Sequence, residues 1–319
     1  MKLLQFLTFS GMFILCLNPL EKAAAQNKPL PVTAWGSIRR LENFSTAPFG
    51  SRTVDVLLPE NYQKDSSLRY PVLYMHDGQM LFDSSQTWNH QEWQMDEALR
   101  SFYQKNGKTC ILVAIHNSGP GRYAEYFPQK PFLMLPEEGR KKVLDLAGKN
   151  PQRTLPDSLP VSDQYLKFLT GELKPAIDRM FRTMPDAEHT WLAGSSMGGL
   201  ISLYALSEYP EVFGAAVCLS THWPGIFTNS DNPVPDAFLS YFRKKFPRDT
   251  RHRLFLCTGH QGLDSLYRPH HRKAEQLFLK KIRRRNGFVS REINDAGHSE
   301  RDWQKQMPEA LIFLFKSLR

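Results

Sequence analysis

The residues best placed to do chemistry lie at 191–200, WLAGSSMGGL, which hold the pattern Gly-x-Ser-x-Gly in one register, with Ser196 at its centre. An apolar run precedes the pattern, and a helical spacing of Leu200, Leu203 and Tyr204 follows at once. A chain that turns so sharply from strand to helix forces its central residue into strained dihedrals, and flanking glycines remove the clashes. The serine oxygen is then lifted above the sheet edge, while the N–H of Met197 points to where an oxyanion would form. A glycine-rich strand-to-helix turn can instead hold a phosphate at the helix N-terminus. The flanking patterns favour the elbow.

A serine hydroxyl is a weak nucleophile without a neighbouring base. The chain has ten histidines, and sheets built around such an elbow order their groups serine, acid, histidine along the chain. His298, in NDAGHSE (294–300), follows the last expected strand and precedes the last helix, so it is the expected base. His76 and His116 end earlier strands and are read as structural or pocket-lining; His270 and His271 begin a helix and are read as solvent-facing. For the acid, Asp264 follows the apolar run Leu254–Thr258 in GHQGLD (259–264), where a carboxylate would orient the imidazole and stabilise imidazolium. Two alternatives stay open: Asp264 as a helix cap, and Asp295, which shares the histidine's own loop. A second oxyanion donor is expected after the third strand, in MHDGQM (75–80). There Gly78 would let the backbone approach the substrate, and Gln79 N–H would act beside Met197 N–H. Arg122, Glu125, Tyr126, His222 and Trp223 fall on segments expected to rim the site, with Trp223 as a platform for a sugar or aromatic ring.

These groups need a scaffold that brings strand ends together. Candidate strands are Thr53–Leu58, Tyr70–His76, Cys110–His116, Thr190–Gly194, Ala215–Ser220, Leu254–Thr258 and Phe288–Ile293, with an earlier one around Thr33–Leu41. Several are continuous apolar runs, as expected for strands covered on both faces. Helical patterns fall between them at Gln91–Gln104, Ser162–Phe181 (with Ser162 as N-cap), Met197–Glu208, Asp236–Phe246, Pro269–Asn286 and Arg301–Leu318. The alternation predicts an α/β protein with a mostly parallel, doubly wound sheet and an antiparallel start. Residues 119–160 hold seven prolines and no strand pattern, which suggests a lid, a pocket wall or a disordered insert.

Composition narrows the classes. With 319 residues, 41% hydrophobic and 23% charged, the chain can bury a large core, and wholesale disorder is excluded. No repeat of 20–50 residues suggests a solenoid. The four cysteines lack C-x-x-C spacing, which argues against a structural zinc site, and Cys110, Cys218 and Cys257 sit inside apolar runs as expected buried thiols. The net charge of +9 gathers at 243–245 and 280–285, on segments that read as outer helix faces. No interleaved aromatics or nucleic-acid motif accompany it, so attraction to an anionic cell-envelope polymer is the better alternative to plain solvation. Residues 1–25 read as an export signal: Lys2, an apolar stretch from Leu3 to Leu17, then Ala23, Ala24 and Ala25 before a cut ahead of Gln26. The apolar stretch is short of the roughly 20 residues that span a bilayer. Residues 26–319 are then one exported catalytic domain, periplasmic or secreted, with no stable membrane insertion.

The stretches YMHDGQMLFD (74–83), RYAEY (122–126), GSSMGG (194–199) and Gly297-His298 with Trp303 together resemble esterases of the α/β-hydrolase superfamily. That group contains enterochelin (siderophore) esterases, feruloyl and acetylxylan esterases, and esterase D, and the resemblance spans roughly residues 50 to 318. It implies an α/β-hydrolase fold, a central sheet of about eight strands with helices on both faces. It also implies ester hydrolysis through an acyl-serine, without metal or other cofactor, with Ser196 as nucleophile, His298 as base and Asp264 as acid. The chain departs from such relatives in one place: His260 and Gln261 stand where the acid loop often reads G-T-E-G-L-D. Some siderophore esterases work as Ser-His dyads, so a weak third member is compatible with activity. The expected substrate is a small-molecule or carbohydrate ester, an acetyl or feruloyl group on a sugar or a siderophore ester. An acyltransferase with the same triad, a non-catalytic binding protein and a peptidase are the rival classes.

Overall fold

A computed structural model of the chain describes residues 29–46, 50–148, 160–228, 230–248, 251–283 and 286–316. The export-signal reading of residues 1–25 lies outside these, and residues from Pro31 on form one compact unit. The strands are β1 (Ser37–Thr46), β2 (Gly50–Leu58), β3 (Val72–His76), β4 (Ile111–Ile115), β5 (Thr190–Ser195), β6 (Ala215–Leu219), β7 (Arg253–Gly259) and β8 (Phe288–Ile293). They form one eight-stranded sheet in the order β1-β2-β4-β3-β5-β6-β7-β8. The β1–β2 and β2–β4 pairs are antiparallel, and every later pair is parallel. β3 begins two residues later than its apolar run, because Pro71 has no N–H to give a ladder; Tyr70 forms only an isolated bridge with Thr183.

The continuous apolar runs are explained by two cores, one on each face. Along β3, Val72 and Tyr74 enter one core while Leu73 and Met75 enter the other; along β4, Ile111, Val113 and Ile115 oppose Leu112 and Ala114. Alternation at a period of two sends each strand into both. The helices are α1 (Met95–Asn106), α2 (Arg122–Tyr126), α3 (Gln129–Leu133), α4 (Glu137–Gly148), α5 (Ser162–Phe168), α6 (Lys174–Met180), α7 (Met197–Glu208), α8 (Val234–Lys245), α9 (Arg268–Lys281), α10 (Glu300–Gln304) and α11 (Met307–Phe315). Leu166, Leu200, Phe238 and Phe278 carry α5, α7, α8 and α9 into the first core. Leu99 and Phe102 of α1 meet Leu311 and Phe315 of α11 in the second, with the Phe102 and Phe315 rings 4.8 Å apart. Each such fully buried side chain contributes roughly 1.5–3 kcal/mol. No described helix is long and apolar enough to cross a membrane.

Several boundaries differ from the sequence pattern. The helix expected over 162–181 contains a π turn, Leu169–Leu173, between α5 and α6. Pro175 has no N–H and its ring would clash with the carbonyl four residues earlier, which the wider turn relieves. Ser162 is the first helical residue rather than the cap, and its Oγ accepts from Gln129 N–H at 2.9 Å. The final helix divides into α10 and α11, with Pro308 at the start of the second, and α9 stops at Lys281. Of the proline-rich stretch, the described part folds into α2, α3 and α4, with Phe132, Leu135 and Val143 in the core. Cys110, Cys218 and Cys257 are buried free thiols.

Candidate active site

Ser196 caps α7 with φ 55° and ψ −120°, a conformation that costs an L residue roughly 1–3 kcal/mol. The surroundings hold it there. Ser196 N–H donates to Leu219 O at 2.9 Å, and Ser196 O accepts from Leu200 N–H and His222 N–H, both at 3.1 Å. The turn needs its glycines: a Cβ on Gly194 would lie 2.6 Å from the Gly198 carbonyl carbon. Strand β5 thus hands over to α7 at the point where the serine side chain leaves the sheet.

In the loops that follow β7 and β8, the imidazole of His298 meets the carboxylate of Asp264, Nδ1 to Oδ1 at 2.6 Å. A carboxylate accepts, so Nδ1 carries a proton, and in the neutral form of the ring Nε2 has the free lone pair. The ring is held edge-on between Tyr267 and Trp303, at 5.5 and 4.9 Å between centroids. Asp264 is fully buried; its Oδ2 accepts from Ser220 Oγ at 2.5 Å and from Gly259 N–H at 2.7 Å. Trp303 Nε1 donates to Ser220 Oγ at 2.9 Å, so the ring that flanks the imidazole also orients the hydroxyl behind the acid.

The two loops that carry Asp264 and His298 are joined. His260 N–H and Gln261 N–H both donate to Ala296 O at 3.0 Å, and a Cβ on Gly259 would lie 2.2 Å from that oxygen. Downstream, Ser299 caps α10 and Asp302 reaches back, accepting from Gly297 N–H at 3.0 Å. Burial would raise the Asp302 carboxyl, but that N–H and the Ser299 hydroxyl hold it below its usual range. His298 therefore sits between two pinned residues. The departure at 260–261 leaves the site alone: His260 Nε2 lies 2.8 Å from Glu292, and Gln261 is exposed.

At the end of β3, Asp77 adopts a left-handed φ of 59° and Gly78–Met80 form a tight turn. Gly78 is needed for a reason other than substrate approach. A Cβ there would fall 2.4 Å from the Ala114 carbonyl carbon, so the glycine lets the turn lie against β4. Asp77 receives Arg122 Nε at 2.6 Å, Arg122 Nη2 at 2.7 Å and Asn117 Nδ2 at 2.7 Å. Burial would raise the Asp77 carboxyl, but the guanidinium beside it holds it below the usual carboxylate range. The carboxylate in turn raises Arg122, against the lowering effect of burial. His76 lies inside the protein against Tyr165 OH at 2.9 Å, and burial pushes its pKa down to about 3.

A cavity of about 830 Å³ opens on this edge. Ser196, His298, Met197, Gln79 and Arg122 all line it, as does Trp88, which is 83% exposed. Four of the expected rim residues do not. Glu125 is fully buried against Arg52 at 2.5 Å, on the side of α2 turned toward β2. Tyr126 is buried between His76 and Tyr165 and lies under the Arg122 guanidinium, 5.2 Å from its carbon. His222 is buried against Tyr267 OH, and Trp223 packs into the core beside Phe242, so it is no sugar platform. His271, read as solvent-facing, is also buried, with Nε2 2.9 Å from Ser290 Oγ and its pKa pushed down to about 4 by burial. The sequence pattern assigns no site role to Ser220, Glu300 or Trp88, and marks Asp77 only as part of a turn with Gly78. In the sheet, Ser220 follows Leu219, whose register partner on β5 is Ser195, so it stands beside the elbow.

A strained serine at a strand–helix elbow, and an imidazole held on a buried carboxylate at the same edge of this sheet, define an α/β-hydrolase. The family model described as "Putative esterase" matches residues 45–314, and the chain belongs to that family. A siderophore triacetylfusarinine C esterase of Aspergillus fumigatus is 27% identical over 236 residues, covering 73% of this chain and 70% of the relative. Among solved structures, a ferulic acid esterase aligns with TM-score 0.61 at 16% identity, over 88% of this chain and 99% of that one. The enterobactin esterase FES of Shigella flexneri aligns with TM-score 0.64 at 18% identity, over 91% of this chain and 64% of that one. The chain spans 58%, 70% and 21% of the lengths of three curated relatives.

Proposed function

We propose that the protein is a serine carboxylic-ester hydrolase that works through an acyl-serine intermediate. The observation that carries this reading is that the strained Ser196 and His298 line one cavity, with the His298 imidazole held from behind by the buried Asp264. In the proposed reaction His298 Nε2 takes the Ser196 proton as Oγ attacks the ester carbonyl. Asp264 keeps the imidazole in the right tautomer and stabilises imidazolium. Met197 N–H, in the first turn of α7 where amides lack an intrahelical acceptor, and Gln79 N–H receive the oxyanion. His298 then protonates the leaving alcohol, and a water activated by the same imidazole releases the acid and restores the serine.

The substrate we favour is an acyl group, acetyl or feruloyl, on a carbohydrate, with the exposed Trp88 at the cavity mouth in the platform role first given to Trp223. Support for this comes from the size of the cavity, about 830 Å³, and from a similar ferulic acid esterase structure. A siderophore ester is the second reading, favoured by the Aspergillus relative. Export, with residues 26–319 as the catalytic domain, belongs to the same proposal and stands on the sequence alone. Reaction of the protein with a fluorophosphonate probe, followed by peptide mapping, tests the mechanism. Label on Ser196 that heat denaturation abolishes is expected. A folded protein that takes no label, or takes it elsewhere, overturns the reading.

A further inference from the structure

Besides the imidazole, the charged side chains lining the cavity are Asp77, Arg122 and Glu300. Arg122 directs both Nε and Nη2 to Asp77, which matches its charge, and Glu300 acts on the same guanidinium only through space. Glu300, the first residue of α10 and two positions beyond His298, has a different kind of partner. Its Oε2 accepts from the neutral Asn89 Nδ2 at 2.9 Å, and among the described residues no Lys, Arg or His lies within ion-pair distance of it. A chain with a net charge of +9 therefore presents a reaction cavity with one carboxylate in excess.

We propose that Glu300 sets the charge preference of the site, admitting esters that are neutral or cationic near the reacting carbonyl and turning away anionic ones. This deepens the ester-hydrolase reading and rests on it. A full charge about 6 Å from another is worth about threefold to a hundredfold in an equilibrium as the effective dielectric goes from 80 to 20. That range is enough to outweigh the pull of the basic chain on an anion at a distance, which salt screens over about 10 Å. Asn89 fixes the carboxylate and donates to amide or acid alike, so Glu300→Gln removes the charge while an acceptor oxygen remains.

The test compares methyl 4-acetoxybenzoate with 4-acetoxybenzoate, which share the acetyl group and ring and differ in the charge of the leaving phenol. The readout is the ratio of kcat/KM for the anionic to the neutral ester, in which effects common to both substrates cancel. The native protein should favour the neutral ester, and Glu300→Gln should raise the ratio about tenfold, chiefly through KM. The rise should persist at 0.3 M salt. A native protein that does not discriminate, or a ratio unchanged in Glu300→Gln, overturns the proposal and leaves the hydrolase reading intact. If neither ester turns over, the slowing of fluorophosphonate labelling of Ser196 by methyl 4-hydroxybenzoate against 4-hydroxybenzoate reads the same preference. Absence of both turnover and labelling defeats the hydrolase reading itself, and this one with it.

Discussion

Asp264 and Asp77 stand at the same edge of the sheet, and each carboxylate receives three hydrogen bonds. Asp264 takes them from His298, Ser220 and Gly259; Asp77 takes two from Arg122 and one from Asn117. Donor count and burial are therefore similar, and the difference lies in the partner. Imidazole gains and loses a proton near neutrality, so a carboxylate on it can stabilise a charge that appears only during reaction. Guanidinium is charged throughout, so Asp77 is matched before any substrate arrives and holds the turn after β3 in shape. On the proposed mechanism the same kind of acid serves chemistry in one corner and architecture in the other.

Exchanging the carboxylates for amides separates the two roles. The largest effect is expected from Asp264→Asn, with kcat/KM down about a hundredfold or more while the melting temperature moves little. A rate unchanged by that substitution would mean that the serine and imidazole work as a dyad. Asp77→Asn should lower kcat/KM by only about tenfold, through a misplaced Gln79, and should cost about 1–3 kcal/mol of stability in a denaturant titration, because Arg122 loses its match. An effect on stability alone, seen only in acid, belongs to His76 and His271, whose pKa values are pushed down to about 3 and about 4. An unfolded histidine takes up its proton near pH 6.5, before the folded one does, so acid favours unfolding. Stability should fall from about pH 6.5 downward by about 1.4 kcal/mol per pH unit for each ring, levelling near pH 4 for His271 and pH 3 for His76. Urea midpoints of His271→Gln should show a shallower fall between pH 6.5 and 4.

The groups that gather at the site as expected share one property: Ser196, Met197, Gln79 and His298, which line the cavity, and Asp264, buried behind His298, follow the ends of strands whose apolar runs are unmistakable in the sequence. Parallel strands bring their carboxyl ends to one edge, so chain order alone gathers such residues. Glu125 and Tyr126 were misplaced because a five-residue helix shows too little periodicity to tell its faces apart. There Arg122 faces the cavity while its neighbours turn toward Arg52 and His76. His222 and Trp223 follow a strand end as well, but the chain folds back under α8, and contacts far apart in sequence decide their burial. Trp88 and Glu300 belong to no motif, and only the tertiary meeting of Asn89 with α10 brings them to one wall.

The carbonyl of Ala296 accepts from two successive amides of the acid loop, and this bears on how the protein fails under stress. Neither loop can open without releasing the other, so amide exchange across 259–264 and 294–299 should report one cooperative opening event. Asp264 and His298 then leave their places together, and on the proposed mechanism partial loosening of this corner should give an inactive protein instead of one with a misdirected imidazole.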